Sequence, residues 1–372
     1  MTTTLRATSS QSFLSYVPHM CGFVPRESLV LIPIVDGHTT GAMRIDLPRD
    51  PKIWPELAAD AMGLICRMPD VRGLSLVIYT DDPLVDAAGD LAWRGFADYL
   101  LERADDCGLR TNDALCVASD AWGSFFSPDA EARDLGEIDY EGAIPDELGS
   151  APIGVGQLAG VALPEVDLAQ TERVGRAILA VRAAMIALAL QGHAKDLTTL
   201  PALAIEAGLM LQDPPPAFEM ALDWKGPLEE HFAAMMIVAL NGPPLRDVAL
   251  TQWAGGVDEG YETLALNRRW ADGDQTHPDG PVRLMGQGSR PSRARLEKAL
   301  ELVRQCAALA PTQEKVGPLA AAAWLSWGLG SSTRAEHYAK EVLKIDRSHG
   351  LAEIVMTFIA NSYLPPWAFA PA

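Results

Sequence analysis

The chain has 372 residues, of which 48% are hydrophobic and 21% charged, a composition typical of globular proteins large enough for two cores. The formal net charge of −19 excludes a general nucleic-acid-binding protein, because such a protein needs basic surface to neutralise phosphates. No apolar run reaches about 18 residues, the minimum for a membrane span, and the N-terminus lacks a signal-peptide core. The sequence therefore predicts an acidic, cytoplasmic protein that does not enter a membrane.

The N-terminal part alternates between predicted strands and helices. A short helix over residues 9–20 precedes a β-hairpin, which is indicated by the apolar run 29–35 and the alternating residues 43–47. Pro33 predicts that the first strand is bulged or lies at an edge, because proline cannot donate to a ladder. The next predicted elements are a helix over 53–67, a strand over 74–80, a helix over 91–106, a strand over 114–119 and an edge segment over 122–126.

From about residue 167 the periodicity is helical throughout. A long helix carries the apolar face Val174, Ala177, Ile178, Val181, Met185 and Leu188. Further helices are predicted over 200–211, 228–240 and 246–254, with a break at Pro214-Pro215-Pro216 and a loop over 265–291. The last four helices are predicted to begin near Ser292, Pro318, Thr333 and Gly350.

The last three predicted helices repeat one apolar template. The first of them places Ala320, Ala323, Trp324, Trp327 and Gly328 on one face, and Thr333 with Glu336 predicts a capping box for the second. This pattern resembles one and a half tetratricopeptide units, with ordinary helix-hairpin packing as the alternative. The predicted fold class is α+β or α/β: a mixed sheet with flanking helices in domain 1–165, then an all-helical domain 166–372 with tetratricopeptide-like hairpins.

Five cysteines lie far apart in the sequence, and none forms a C-x-x-C pair. Cys66 and Cys107 fall in helical patterns, and Cys116 falls in an apolar strand. The sequence therefore predicts buried free thiols without a disulfide framework.

Carboxylates follow two neighbouring predicted strands. Asp81 and Asp82 end one strand, and Asp120 ends the next. In open α/β sheets, ligands bind outside the carboxyl ends of the strands, and carboxylates bind Mg²⁺ readily. These residues are the candidate catalytic or metal-binding groups, and the alternative is that they are ordinary turn residues.

Four charged residues are candidate binding groups. Arg44 and Asp46 alternate outward from the second strand, where a buried ion pair explains them equally well. Arg290 and Arg293 belong to a basic stretch, and Arg290 ends a Gly286-x-Gly288-Ser289 segment that is similar to a small phosphate nest. That segment lacks the strand-then-helix context of a true nucleotide loop.

Three pieces of the chain resemble an actinobacterial family known as domain of unknown function 4192. They are Val17-Pro18 with the segment 22–30 and Arg44-x-Asp46-Leu47-Pro48, then Trp122 with Ser124, and finally Arg246-Asp247 with 323–327 and Leu364-Pro365-Pro366. Many members carry cysteines shortly after the tryptophan, and residues 126–129 have none. The resemblance implies a fold and no established activity.

These observations favour a noncatalytic cytoplasmic protein without a cofactor that binds a protein partner or self-associates. The alternative is a metal-dependent phosphoester or nucleotide-processing enzyme that uses Asp81, Asp82 and Asp120.

The domain boundary has a direct test. We expect limited proteolysis to cut first within residues 127–170 or 271–290, because these stretches join predicted elements and are rich in glycine, proline and polar residues. Mass spectrometry of the first fragments locates the cuts, and early cleavage within 74–118 would contradict the predicted domains.

Overall fold

The computed structural model describes residues 7–39, 41–87, 89–127, 131–140, 156, 158, 160–190, 197–274, 280 and 282–369. Two compact units, Met1–Ala159 and Gly160–Ala372, divide the chain. The predicted combination of a mixed sheet with flanking helices and a helical C-terminal part is confirmed. Most of the stretch 127–164, which joins predicted elements, lies outside the described residues.

The first unit is built on a five-stranded sheet with the order β2-β1-β3-β4-β5. β1 pairs antiparallel with both β2 and β3, β3 pairs parallel with β4, and β4 pairs antiparallel with β5. The predicted hairpin and the edge position of the last strand are therefore confirmed. The strands are β1 (Ser28–Ile34), β2 (Met43–Asp46), β3 (Gly73–Tyr79), β4 (Arg110–Val117) and β5 (Trp122–Ser124).

Pro33 lies in an internal strand. It pairs with Leu74 of β3 in a regular ladder, so the predicted bulge is wrong. The pairing of β1 with β2 runs from Ser28 to Leu31, and Pro33 lies beyond it. The strand is thus locally an edge at Pro33, where the missing N–H costs no ladder hydrogen bond.

Helices cover both faces of this sheet because successive strand residues point to opposite sides. Leu29 and Leu31 pack with α2 (Trp54–Cys66) and α3 (Arg94–Asp106). Val30 and Ile32 pack with α1 (Ser10–Cys21) on the other face. Ser9 caps α1 by accepting a hydrogen bond from the Ser12 backbone N–H.

The second unit is helical and has one continuous core. Two predictions are wrong here: Pro214 begins a helix rather than a break, because proline suits the first helical position, and residues 265–271 are helical rather than loop. None of the described helices is long and apolar enough to cross a membrane. The helices are α4 (Leu168–Ala189), α5 (Ala202–Met210), α6 (Pro214–Leu222), α7 (Glu230–Asn241), α8 (Pro243–Gly255), α9 (Val257–Ala271), α10 (Arg293–Leu309), α11 (Val316–Gly328), α12 (Ser332–Ile345) and α13 (Gly350–Ala360).

The last three helices lie where the repeated template predicts them. α11 and α12 are joined by three residues and form a helical hairpin. The predicted capping box is wrong, because α12 begins at Ser332 and places Thr333 inside its first turn. Trp324 and Trp327 are fully buried, and their indole N–H groups donate to the Leu284 carbonyl at 2.9 Å and the Tyr363 carbonyl at 2.8 Å.

The cysteines depart from the predicted burial. Cys116 and Cys306 are buried, and Cys21 is half-buried. Cys66 and Cys107 are exposed, because each lies at the C-terminal end of a helix rather than on its apolar face. All five are free thiols, as predicted.

Replacing Trp324 with alanine tests the packing of the C-terminal helices. We expect Trp324→Ala to lower the free energy of unfolding by about 3–5 kcal/mol, because it empties a buried site and leaves the Leu284 carbonyl without its donor. Chemical denaturation measures the change, and Tyr261→Ala, at an exposed aromatic of α9, is the matched control. An unchanged denaturation midpoint for Trp324→Ala would contradict the burial of this residue in the core.

Candidate functional site

The carboxyl ends of β3 and β4 meet at one edge of the sheet. The Thr80 backbone N–H donates to the Val117 carbonyl at 3.0 Å, and the Ser119 N–H donates to the Asp82 carbonyl at 3.1 Å. The turns that carry Asp81, Asp82 and Asp120 are therefore neighbours. This proximity follows from the parallel pairing of the two strands, which the alternation of strands and helices predicts.

Each of the three carboxylates already accepts a hydrogen bond from the protein. Both Asp81 oxygens accept from the Arg26 guanidinium, at 2.9 and 3.1 Å, and both side chains are exposed. Asp120 accepts from the Leu84 backbone N–H at 2.8 Å, and Asp82 lies 3.3 Å from the Thr80 hydroxyl. Asp120 and Asp82 thus act as local acceptors for turns, as the alternative interpretation of the sequence predicts.

Thr80 is the centre of a polar network that the sequence analysis missed. Its hydroxyl lies 3.1 Å from Glu27 Oε1 and accepts from Trp93 Nε1 at 3.2 Å, and Glu27 Oε1 also accepts from the Asp81 N–H at 2.6 Å. Glu27 and Trp93 have positive φ angles of 44° and 64°, which cost non-glycine residues about 1–3 kcal/mol each. The network therefore holds two strained backbone positions beside the end of β3.

A buried thiol, Cys116 of β4, lies near Asp82 and Asp120. Burial, followed by the negative charges of Asp120 and Asp82, raises the pKa of Cys116 to about 12. Cys116 therefore stays protonated and is not a nucleophile at neutral pH. Among the described residues, no group of three His, Cys, Asp or Glu side chains is arranged to hold a metal ion.

An open groove of about 400 Å³ lies elsewhere in the first unit. Arg94 is the cation in this groove, and its guanidinium donates to the carbonyls of Phe125 at 2.5 Å and Ser127 at 3.1 Å. Asp81, Asp82 and Asp120 do not line it. The lining residues are Gly89, Asp90, Leu91, Arg94, Phe125, Phe126 and Ser127.

Arg44 and Asp46 form an ion pair on β2, which favours the structural interpretation of these candidates. Arg44 is mostly buried, and its Nε donates to the hydroxyl of the fully buried Ser28 at 2.7 Å. Arg44 thus bridges β2 and β1 across the hairpin.

Arg290 and Arg293 also bind groups of their own chain. Arg290 donates to the Ala368 carbonyl at 2.8 Å, and Arg293 pairs with Glu297 one helical turn away at 2.8 Å. A Cβ at Gly286 would lie 2.7 Å from Pro365, so this glycine permits close packing of the C-terminal segment. Close packing against Pro365 therefore explains the glycine at position 286 without a bound phosphate.

Helix α4 has apolar residues on two opposite faces. Its buried face comprises Val174, Ala177, Ile178, Val181 and Ala184. On the other side, four aliphatic residues fall within about 40° around the helix axis. We call this set the α4 stripe: Leu168, Leu179, Ile186 and Leu190, with exposed fractions of 89%, 66%, 60% and 76%. The sequence analysis missed the stripe, although leucines spaced by eleven residues, three helical turns, were visible.

The charges beside the α4 stripe are paired within the chain. Glu172 and Arg176 form an i,i+4 ion pair at 2.9 Å. Arg182 donates to both oxygens of Glu314, at 2.6 and 2.7 Å. The stripe is therefore an apolar surface whose neighbouring cations are already matched by carboxylates.

The model of the family described as Domain of unknown function (DUF4192) matches residues 11–272, and the chain belongs to this family. The family resemblance is thus confirmed. The match includes the whole sheet and ends after α9, so the resemblance around residues 323–327 and 364–366 lies beyond it. No curated protein and no solved structure matches the chain.

The engaged carboxylates generate a prediction about metal. We expect millimolar Mg²⁺ or Mn²⁺ to leave the melting temperature unchanged, because Asp81, Asp82 and Asp120 already serve as intramolecular acceptors. Thermal unfolding with and without the cation measures this, with the double variant Asp81→Asn, Asp120→Asn as the control. A rise in the native chain that the double variant lacks would favour the metal-dependent enzyme.

Proposed function

We propose that the protein is a noncatalytic cytoplasmic protein that self-associates through the α4 stripe. The observation that carries the proposal is the exposure of four large aliphatic side chains on one face of a single helix. Exposed large apolar side chains that share one side of a helix indicate an interaction site in a folded protein. The engaged carboxylates at the sheet edge support a noncatalytic role over a phosphoester or nucleotide enzyme.

The spacing of the stripe supports a second copy of the chain as the occupant. Leu179 lies eleven residues from both Leu168 and Leu190. In an antiparallel pair of α4 helices with the two-fold axis at Leu179, this residue meets itself, and Leu168 meets Leu190 of the second copy. A two-fold interface requires a surface that is complementary to itself, and the three leucines of the stripe have that symmetry. Ile186 has no apolar counterpart, because it would face Glu172 of the second copy.

The charges near the stripe also support a second copy of the chain as the partner. The chain is acidic overall, so two copies repel each other at long range, and close contact requires a face without excess charge. Arg176 and Arg182 beside the stripe have intramolecular carboxylate partners. A strongly basic or acidic partner therefore finds no unpaired charge to bind here, whereas a second copy gains apolar contact between the leucines of the two stripes.

Leu179→Lys tests the proposal. We expect the native chain to have twice the monomer mass of 40.0 kDa, and Leu179→Lys to be a monomer, because two lysines would face each other at the two-fold axis. Light scattering after size exclusion gives the mass. Leu179 is exposed, so the substitution should leave the fold and its circular dichroism unchanged.

Ile354→Lys is the matched control, since it places the same charge at an exposed aliphatic residue of α13. It should remain a dimer. A dimeric Leu179→Lys variant would place self-association on another surface. A native chain that is monomeric at tens of micromolar would overturn self-association and leave the stripe for a different protein.

A further inference from the structure

Two exposed thiols meet at neighbouring helix ends in the first unit. Cys66 is the last residue of α2, and Cys107 directly follows α3. The two helices pack side by side on one face of the sheet and share its core. The strands that follow the two helices begin side by side, because the Arg110 N–H donates to the Arg72 carbonyl at 2.9 Å. Cys66 and Cys107 therefore lie at the same end of the helix pair, although 41 positions separate them in the sequence.

The backbone around both thiols is fixed by helix-terminal hydrogen bonds. The Cys107 N–H donates to the Arg103 carbonyl at 3.1 Å, and Gly108 adopts a φ of 71°, which glycine tolerates and which ends α3. The Met68 N–H donates to the Ile65 carbonyl at 3.0 Å just beyond Cys66. Cys66 and Cys107 therefore both lie on ordered helix ends.

We propose that Cys66 and Cys107 are a redox modification site that forms a reversible intramolecular disulfide. The other three cysteines do not offer this geometry, because Cys116 and Cys306 are buried and Cys21 ends α1 on the opposite face of the sheet. Exposed thiols that lie next to a second thiol are the ones that oxidants reach and couple.

The reaction has two steps, and both thiols are exposed to the oxidant. In the first step, the sulfur of one cysteine attacks a hydroperoxide and the O–O bond breaks. That cysteine becomes a sulfenic acid, and water leaves when the peroxide is H₂O₂.

The second cysteine of the pair completes the disulfide. Its sulfur attacks the sulfenic sulfur, the S–O bond breaks, and the hydroxyl leaves as a second water with the proton of the attacking thiol. Two thiols and one H₂O₂ therefore give one disulfide and two waters. A small dithiol reverses the step by thiol–disulfide exchange and is itself oxidised.

Peptide mapping tests the proposal on the full-length chain. After treatment with one equivalent of H₂O₂ and alkylation of the remaining thiols, trypsin should release residues 53–67 linked to residues 104–110. The intact mass should fall by about 2 Da before alkylation, and dithiothreitol should restore it. The link should also raise the melting temperature by several degrees, because it closes a loop of about 40 residues in the unfolded chain.

Serine variants test the pairing. Cys66→Ser and Cys107→Ser should each abolish the link, and Cys21→Ser should form the 53–67 to 104–110 link as the native chain does. The proposal is overturned if Cys107 proceeds to sulfinic acid while Cys66 stays reduced, or if H₂O₂ links chains to one another instead. The proposal is also overturned if peptide 305–315, which carries the buried Cys306, is oxidised faster than peptide 104–110.

Discussion

Helix α4 has two apolar faces, and the core of the second unit buries only one of them. One face packs into the helical core against α5 and α7, where Gly208 of α5 lets the helices approach so closely that a Cβ would lie 3.1 Å from Leu188. The opposite face remains exposed. Burying a leucine contributes about 1.5–3 kcal/mol, so the six stripe leucines of a two-fold pair contribute about 9–18 kcal/mol, which is comparable with the roughly 4–15 kcal/mol that association costs.

The sheet edge illustrates the opposite arrangement, in which polar groups are satisfied within the chain. Glu27, Thr80 and Trp93 bond one another across the end of β3, and Asp81 pairs with Arg26. The strain at Glu27 and Trp93 persists because these bonds fix both residues. A metal or phosphate would have to displace these existing partners. The strand-end carboxylates therefore support catalysis less than the sequence alone suggests.

The sequence predicts most of the elements because periodicity is a local property. The alternation around β1 and β2 and the template of α11 identify a hairpin and a buried tryptophan pair without any knowledge of contacts. Helix α9 was missed over its whole length, although its signals are present: acids in the first turn and Arg268 and Arg269 in the last. Its mixed polar composition hid a helix with a narrow buried face.

The site features are less predictable because they depend on long-range contacts. Thr80 bonds Glu27 across 53 positions, and Cys66 meets Cys107 only because α2 and α3 lie side by side. The α4 stripe is the exception, since its spacing is visible in the sequence. Only the structure separates it from the buried face, because both are rows of aliphatic residues on the same helix.

The most direct measurement of the central claim is a disulfide across the proposed two-fold axis. In a chain with Cys66→Ser and Cys107→Ser, Leu179→Cys should give a covalent dimer on a non-reducing gel after mild oxidation, because residue 179 meets its own copy. Ile186→Cys in the same background should stay monomeric on the gel, because residue 186 would face Glu172 of the second copy. Efficient cross-linking at 186 without cross-linking at 179 would contradict the two-fold pairing of α4.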